Sequence, residues 1–135
     1  MRVELIAIGR VESTLTDRHT APKQGDEGAP DAVLHFEAGM LEGLDGIGPQ
    51  DELLVLTWLD RAARDVLQVR PRNDPDAPYA GVFATRSPDR PNPIGLHRVT
   101  VLEVDGPRVR VNNLEALDGT PIVDVKPLLR TIDER

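Results

Sequence analysis

The sequence contains no cysteine among its 135 residues. Its fold therefore cannot rest on disulfide bonds, and thiolate metal sites are excluded. The three histidines, His19, His35 and His97, stand far apart without metal-ligand spacing, so we expect no metal. No apolar run approaches membrane-spanning length, and the N-terminus lacks a signal-peptide pattern. We expect a cytoplasmic protein with no membrane partner.

Aromatic residues and positive charge are also scarce. There are only four aromatic side chains, and the formal net charge is −7. The charge is uneven, because residues 26–60 hold nine acidic residues and no lysine or arginine, whereas residues 61–98 hold seven arginines against four aspartates. Affinity for RNA comes largely from neutralising phosphates, so the chain as a whole is poorly suited to RNA unless residues 61–98 form a basic patch.

The most constrained stretch is residues 81–96, GVFATRSPDRPNPIGL. Three prolines, Pro88, Pro91 and Pro93, fall within six residues of it. Each proline fixes its own φ and disfavours helical geometry in the residue before it, so no helix can run through this segment. We expect a stiff loop.

This loop carries two guanidinium groups, from Arg86 and Arg90, and the carboxamide of Asn92. Planar donors on a backbone with little freedom left to lose are suited to gripping a carboxylate or phosphate. The plainer interpretation is a proline-rich surface turn with solvated arginines.

Short apolar segments separated by turn residues run through the rest of the chain. They predict an all-β fold of about seven strands, a barrel or sandwich with long loops, in a single domain over residues 1–135. The segment LLVLTWL within residues 51–59 favours a central strand buried on both faces, and residues 39–44 favour one helical turn. The predicted strands cover residues 1–12, 32–38, 51–59, 66–69, 96–105, 108–113 and 117–126.

Two loops invite a functional interpretation. Residues 12–30 lack periodicity, and an irregular segment of that length in a compact domain is usually functional or disordered. Residues 43–48, GLDGIG, resemble a nucleotide-binding loop only superficially, because a proline and a strand follow where a long helix is required.

Asp118 and Gly119 form a turn pair that suits a positive φ. In the strand that follows, alternation places Ile122, Asp124 and Lys126 on one face and the two valines between them on the other. Asp124 and Lys126 would then lie about 7 Å apart at their Cα atoms. They would form either a surface ion pair or a pair that converges on a ligand.

Four segments together resemble one family. They are IAIGRVES (residues 6–13), APKQG (21–25), GVFATRSPDRPNPIG (81–95) and LDGTPIVDVKP (117–127). The chain is similar in these segments to the TsaA-like, or TrmO, family, whose best-known members use S-adenosyl-L-methionine to methylate N6 of threonylcarbamoyl-adenosine beside the tRNA anticodon. The resemblance implies a β-barrel that forms a homodimer, with cofactor sites near the subunit interface and no Rossmann fold.

The resemblance also implies roles for individual residues. Arg90 and Asn92 would meet the methyl acceptor, and Asp124 and Lys126 would orient it and handle its proton. Arg86 has a physical case as well, because the methionine carboxylate suits a planar guanidinium. The residues implied in cofactor binding are Pro22, Lys23, Gln24, Asp60, Arg61, Arg86, Leu96, Leu117, Asp118, Gly119 and Thr120.

One departure from the family concerns the acceptor. Many relatives carry an aromatic residue, a histidine and then lysine or glutamine after the central strand, where this chain has Trp58-Leu59-Asp60-Arg61. Asp60 replaces a hydrogen-bond donor with an acceptor and adds negative charge. Three hypotheses therefore stand: a methyltransferase acting on a tRNA anticodon stem-loop, a methyltransferase acting on a small molecule, and a non-enzymatic module that binds S-adenosylmethionine.

Overall fold

The computed structural model describes residues 1–17, 28–71 and 74–129. Two short 3₁₀ helices, Ala38–Leu44 and Val82–Ala84, accompany the strands in this part of the chain, and neither is long or apolar enough to cross a membrane. The strands are β1 (Gly9–Glu12), β2 (Ala32–Phe36), β3 (Glu52–Trp58), β4 (Gln68–Val69), β5 (Ala80–Gly81), β6 (Ile94–Asp105), β7 (Arg108–Val111) and β8 (Pro121–Pro127).

Six strands form one antiparallel sheet in the order β1-β2-β7-β6-β3-β8. Because β1 pairs with β8 as well as with β2, the sheet closes on itself. Strands β4 and β5 form a separate two-stranded sheet. The expected mostly β fold is confirmed. The predicted strand count of about seven is corrected to eight in the described residues, because β5 is only two residues long and carries no periodic signal.

The core fills the inside of the closed sheet. Alternate residues of each strand point inward, and those of β7 and β3, such as Val109 and Val55, are fully buried. The prediction that β3 is buried on both faces is wrong, because a closed sheet has one interior and Leu54 and Leu56 lie only half-buried on the outer face.

The first strand is shorter than predicted. It begins at Gly9, and residues 1–7 are exposed, with Val3 and Ile6 at 77% and 66% of their full exposure. The amide of Ile8 still donates to the carbonyl of Ile122 at 2.8 Å. The residues that precede Ile8 pair with no strand in the described part of the chain, so their apolar alternation alone is not enough to make a strand.

An irregularity in the pairing of β3 with β8 overturns another prediction. Ile122 lies opposite Thr57 and Asp124 lies opposite Leu56, so β8 accommodates one extra residue between these two pairs. An extra residue reverses the facing of the residues after it. Ile122 is therefore fully buried in the core, whereas Asp124 faces outward, and the two do not share a face.

The turn sequence Asp105-Gly106-Pro107 predicts a hairpin, and β6 and β7 form one. Asp105 lies opposite Arg108, and the turn between them contains Gly106 at φ 56°. Val109 and Val111 point into the core, as expected from alternation.

An ion cluster links β1, β2 and β7 on the outer face. The Glu12 carboxylate lies 2.7 Å from His35 Nδ1 and accepts a hydrogen bond of 2.8 Å from the Arg108 guanidinium. Partial burial raises the pKa of Glu12, but the hydrogen bonds from His35 and Arg108 outweigh it, and the pKa is lowered overall. The charged form of Glu12 is therefore favoured in the folded protein.

Candidate functional site

A cavity of about 190 Å³ opens at one rim of the closed sheet. Three segments that are distant in sequence build it: the turn after β3, the proline-rich loop with the start of β6, and the segment that precedes β8. The residues proposed from sequence that line this cavity are Asp60, Arg61, Arg86, Arg90, Leu96, Leu117 and Thr120.

Arg90 braces the proline-rich loop from inside. Its guanidinium donates hydrogen bonds to the backbone carbonyls of Val82, Thr85 and Ser87 at 2.8, 3.1 and 3.0 Å. These bonds add to the stiffness that the prolines give the loop. Arg90 was expected to contact the methyl acceptor, but most of its N–H donors bond to the loop itself. Arg90 nevertheless also lines the cavity.

Arg86 is the exposed guanidinium that this braced loop presents to the cavity. Within residues 1–17, 28–71 and 74–129, its side chain takes part in no hydrogen bond or ion pair. Its donors therefore remain available to a carboxylate ligand without the loss of an existing contact.

The turn after β3 is held at both ends. The amide of Leu59 donates to the carbonyl of Pro93 at 2.8 Å, which joins the turn to the proline-rich loop. The Arg61 guanidinium donates to the backbone carbonyls of Thr16 at 3.0 Å and Asp118 at 3.3 Å. Asp60 lies between these anchors, exposed at the cavity.

The predicted turn at Asp118 and Gly119 is present, with Gly119 at φ 83°. Both residues form hydrogen bonds with the N-terminal part of the chain. The Asp118 carboxylate accepts a hydrogen bond from the amide of Ser13, and the amide of Gly119 donates to the carbonyl of Val11. Neither residue lines the cavity, whereas their neighbours Leu117 and Thr120 do. The turn therefore positions the cavity wall.

Asn92 does not reach the cavity. Its carboxamide oxygen accepts a hydrogen bond of 3.1 Å from Arg64, whose guanidinium lies 5.0 Å from the centre of the Trp58 ring. Asn92 thus ties the proline-rich loop to the segment after β3, away from the lining residues.

Asp124 and Lys126 also lie away from the cavity, on the outer face of β8. Their side chains form an ion pair of 3.5 Å and are 50% and 65% exposed. Pro22, Lys23 and Gln24 lie outside the described residues.

Three polar side chains, Thr57, His97 and Glu115, form a buried hydrogen-bonded chain at the cavity, and the sequence did not indicate it. His97 is only 4% exposed, and its two ring nitrogens lie 2.5 Å from Glu115 Oε1 and 2.7 Å from Thr57 Oγ1. Alternation along β6 could have placed His97 on the inner face, but no local pattern marks Glu115. Further lining residues, none of which was assigned to the site from the sequence, are Leu59, Ala62, Ser87, Pro88, Ile94, Gly95 and Ala116.

The cavity wall carries charge of both signs beside an apolar surface. Arg61 and Arg86 supply positive charge, Asp60 and Glu115 supply negative charge, and Leu96 contributes an exposed apolar face. Such a wall suits an amphipathic ligand that itself bears both charges. In the part of the chain that the structure describes, no three histidine, aspartate or glutamate side chains converge as metal ligands.

A closed antiparallel sheet with a mixed-charge cavity at its rim defines a β domain without a Rossmann fold, whose loops form a cavity suited to a small charged ligand. Comparison with known proteins makes the assignment specific. The chain belongs to the family of the tRNA-methyltransferase O N-terminal domain, whose model matches residues 10–134.

Two archaeal relatives are similar over nearly the whole chain. A protein of Archaeoglobus fulgidus named a probable S-adenosyl-L-methionine-binding protein is 45% identical over 98% of this chain, which spans 36% of that protein. A protein of the same name from Methanothermobacter thermautotrophicus is 40% identical over 98% of this chain and 95% of that protein.

Solved structures agree with the family. The crystal structure of TrmO from Pseudomonas aeruginosa superposes with a TM-score of 0.79 at 25% identity, over 100% of this chain and 60% of that one. Another TrmO crystal structure gives a TM-score of 0.80 at 27% identity, over 100% of this chain and 61% of that one. This chain therefore spans about three fifths of the TrmO structures that it matches.

Proposed function

We propose that this chain binds S-adenosyl-L-methionine in the rim cavity and transfers its methyl group to an acceptor. The observation that carries the proposal is the convergence of the proline-rich loop, the turn after β3 and residues 115–120 on one cavity. The family membership and the names of the archaeal relatives support the same cofactor.

The chemistry of the wall matches the parts of this cofactor. Arg86 binds the methionine carboxylate through its unoccupied planar donors. Asp60 lies where it can attract the ammonium or sulfonium charge, and the apolar side chains of Leu96 and Leu117 pack against the adenosine. By resemblance, Lys23 and Gln24 complete the site.

Methyl transfer from a sulfonium is an in-line displacement in which the thioether leaves neutral. The protein has mainly to hold donor and acceptor in line and to receive a proton from the acceptor. A loop stiffened by three prolines and braced by Arg90 is suited to holding the donor. Little conformational freedom remains to be lost when the ligand binds.

The acceptor that we favour is N6 of threonylcarbamoyl-adenosine in the tRNA anticodon loop, with the protein acting as a homodimer. The family description supports a tRNA substrate, and the choice of threonylcarbamoyl-adenosine rests on the resemblance to the TrmO family. A small-molecule acceptor is the second candidate. It is favoured by the net charge of −7 and by exposed Asp60, which adds negative charge at the cavity where RNA phosphate would approach.

Calorimetric titration with S-adenosylmethionine tests the cofactor. Incorporation of labelled methyl groups into unmodified and threonylcarbamoyl-modified anticodon stem-loops then tests the acceptor. We expect binding, and transfer to the modified RNA alone. Binding with no transfer to either RNA would favour a small acceptor or a non-enzymatic binding role, and absence of binding would refute the proposal.

A further inference from the structure

Glu115 places a carboxylate in the cavity wall, and its side chain is only 15% exposed. One of its oxygens, Oε1, lies 2.5 Å from His97 Nδ1. Among the described residues, no donor bonds to the other oxygen, Oε2. Glu115 thus has one oxygen anchored and one oxygen unoccupied at the cavity.

His97 fixes the direction of this carboxylate. A carboxylate can only accept, so His97 Nδ1 carries the hydrogen that it donates to Glu115. At its other nitrogen, Nε2, the ring is hydrogen-bonded to the hydroxyl of Thr57, which is fully buried. Thr57 and His97 come from the neighbouring strands β3 and β6, so the sheet itself holds the ring.

Gly95 makes this arrangement sterically possible. It lies opposite Thr57 on β6, and a Cβ atom at this position would meet Nε2 of His97 at 2.7 Å. The inner face therefore accommodates the imidazole because residue 95 has no side chain.

Two described carboxylates line the cavity, and their surroundings differ. Asp60 is exposed, and no hydrogen bond within the described residues orients its carboxylate. Glu115 is mostly shielded from water and oriented by a buried imidazole. A general base works best when its position is fixed before the reaction, and these differences favour Glu115.

We propose that Glu115 is the proton acceptor of the methyl transfer and that His97 is its positioning residue; this inference rests on the methyltransferase function proposed above. The nucleophilic atom of the acceptor uses its electron pair to form the new bond to the methyl carbon. The carbon–sulfur bond breaks, and its electron pair stays on sulfur, which leaves as a neutral thioether. The acceptor's proton passes to Oε2 of Glu115 and then to solvent.

The test substitution is Glu115→Gln, which keeps the shape of the side chain and an oxygen that can accept from His97, but removes the base. We expect methyl transfer to the threonylcarbamoyl-modified stem-loop to fall by about 10²- to 10⁴-fold. The calorimetric affinity for S-adenosylhomocysteine should stay within about threefold, because an oriented base acts on the acceptor. Glu103→Gln is the matched control, since Glu103 is 62% exposed in a surface ion pair with Arg110, and it should leave the rate unchanged.

A pH–rate profile separates a base from a structural residue. In the wild type, kcat/KM should rise with pH to a plateau, and the Glu115→Gln variant should lose this rise. The other charged or titratable side chains that face the cavity, namely Asp60, Arg61, Arg86, Arg90 and His97, are the same in both proteins. His97→Asn should lower kcat by about 10- to 100-fold and displace the rise in the profile, with KM for S-adenosylmethionine little changed.

The outcomes separate this inference from the function on which it rests. Full activity of Glu115→Gln, or a parallel loss of cofactor affinity, would overturn the role of Glu115 while leaving methyl transfer intact. A wild type that binds the cofactor but methylates neither stem-loop would overturn the tRNA function and this inference together. If Glu115→Gln fails to fold, Glu115→Asp decides the matter, because it keeps the carboxylate and should retain a measurable, pH-dependent rate that Glu115→Asn lacks.

Discussion

Replacing Gly95 with alanine tests the packing on which the buried Thr57–His97–Glu115 chain depends. A Cβ at residue 95 would lie 2.4 Å from Thr57 Oγ1 and 2.7 Å from His97 Nε2. Both distances are too short for non-bonded heavy atoms, and both partners are buried side chains of neighbouring strands. The substitution must therefore push Thr57 and His97 apart.

Two energetic costs add up to the loss of stability expected for Gly95→Ala. Extra volume in a packed core costs about 1–3 kcal/mol, and leaving a buried polar group without its partner costs about 1–3 kcal/mol. We therefore expect Gly95→Ala to lower the free energy of unfolding by about 2–6 kcal/mol. Urea unfolding followed through the fluorescence of Trp58, the single tryptophan, measures it.

Gly81→Ala is the matched control. Gly81 has φ −60°, and a Cβ there would meet nothing within 4 Å. Alanine at this position should be neutral or stabilise the fold by about 0.4–1 kcal/mol. Equal stability of Gly95→Ala and the wild type would refute the packing argument.

A double mutant locates the clash. Thr57→Ala removes the oxygen nearest to the added carbon, so Gly95→Ala with Thr57→Ala should cost at least about 0.5 kcal/mol less than the sum of the single substitutions. Strict additivity would mean that the loss of stability arises elsewhere.

Three further perturbations address the cavity and the outer ion cluster. Arg86→Ala should weaken S-adenosylmethionine binding by about 10- to 100-fold in calorimetry, because a charge-assisted hydrogen bond is lost, and stability should change by less than about 0.5 kcal/mol; unchanged affinity would contradict the role of Arg86. Asp60→His should lower cofactor affinity by about two- to fivefold through loss of an exposed charge and should alter acceptor preference, whereas identical activity on every acceptor tried would disprove the link to acceptor choice. The pKa of Glu12 is lowered in the folded protein, so its charged form stabilises the fold at pH values above the ordinary glutamate pKa of about 4.3. This stabilisation is lost as the pH falls through the lower pKa of the folded state. Unfolding free energies at pH 7, 4 and 3 should therefore decline less for Glu12→Gln than for the wild type, and equal declines would refute the contribution of Glu12.

Local chemistry was enough to predict several parts of the molecule. The prolines of residues 81–96 restrict their own dihedral angles and those of their neighbours, so the stiff loop follows from sequence alone. The same holds for the positive φ of Gly119 and for the hairpin of β6 and β7, whose inward valines follow from strict alternation. Within the site, Arg86 could be proposed from the sequence because its type and its loop already suit a carboxylate.

Pairing between strands distant in sequence decided which residues face the core where alternation along a single strand could not. The extra residue in β8 turns Ile122 inward and Asp124 outward, and only the register with β3 reveals it. The exposure of residues 1–7 likewise depends on which strands lie nearby. Periodicity predicts which residues alternate, but the partner strand determines where the alternation slips or stops.

The buried polar chain shows the same division. The sequence by itself determined that residue 97 is a histidine on an alternating strand and that residue 115 is a glutamate just before a turn. Only the tertiary structure decided that these two side chains, 18 residues apart, lie within hydrogen-bond distance and that Gly95 leaves room for the ring. The physical reason is that a hydrogen bond depends on positions in space, which the closure of the sheet sets and local sequence does not.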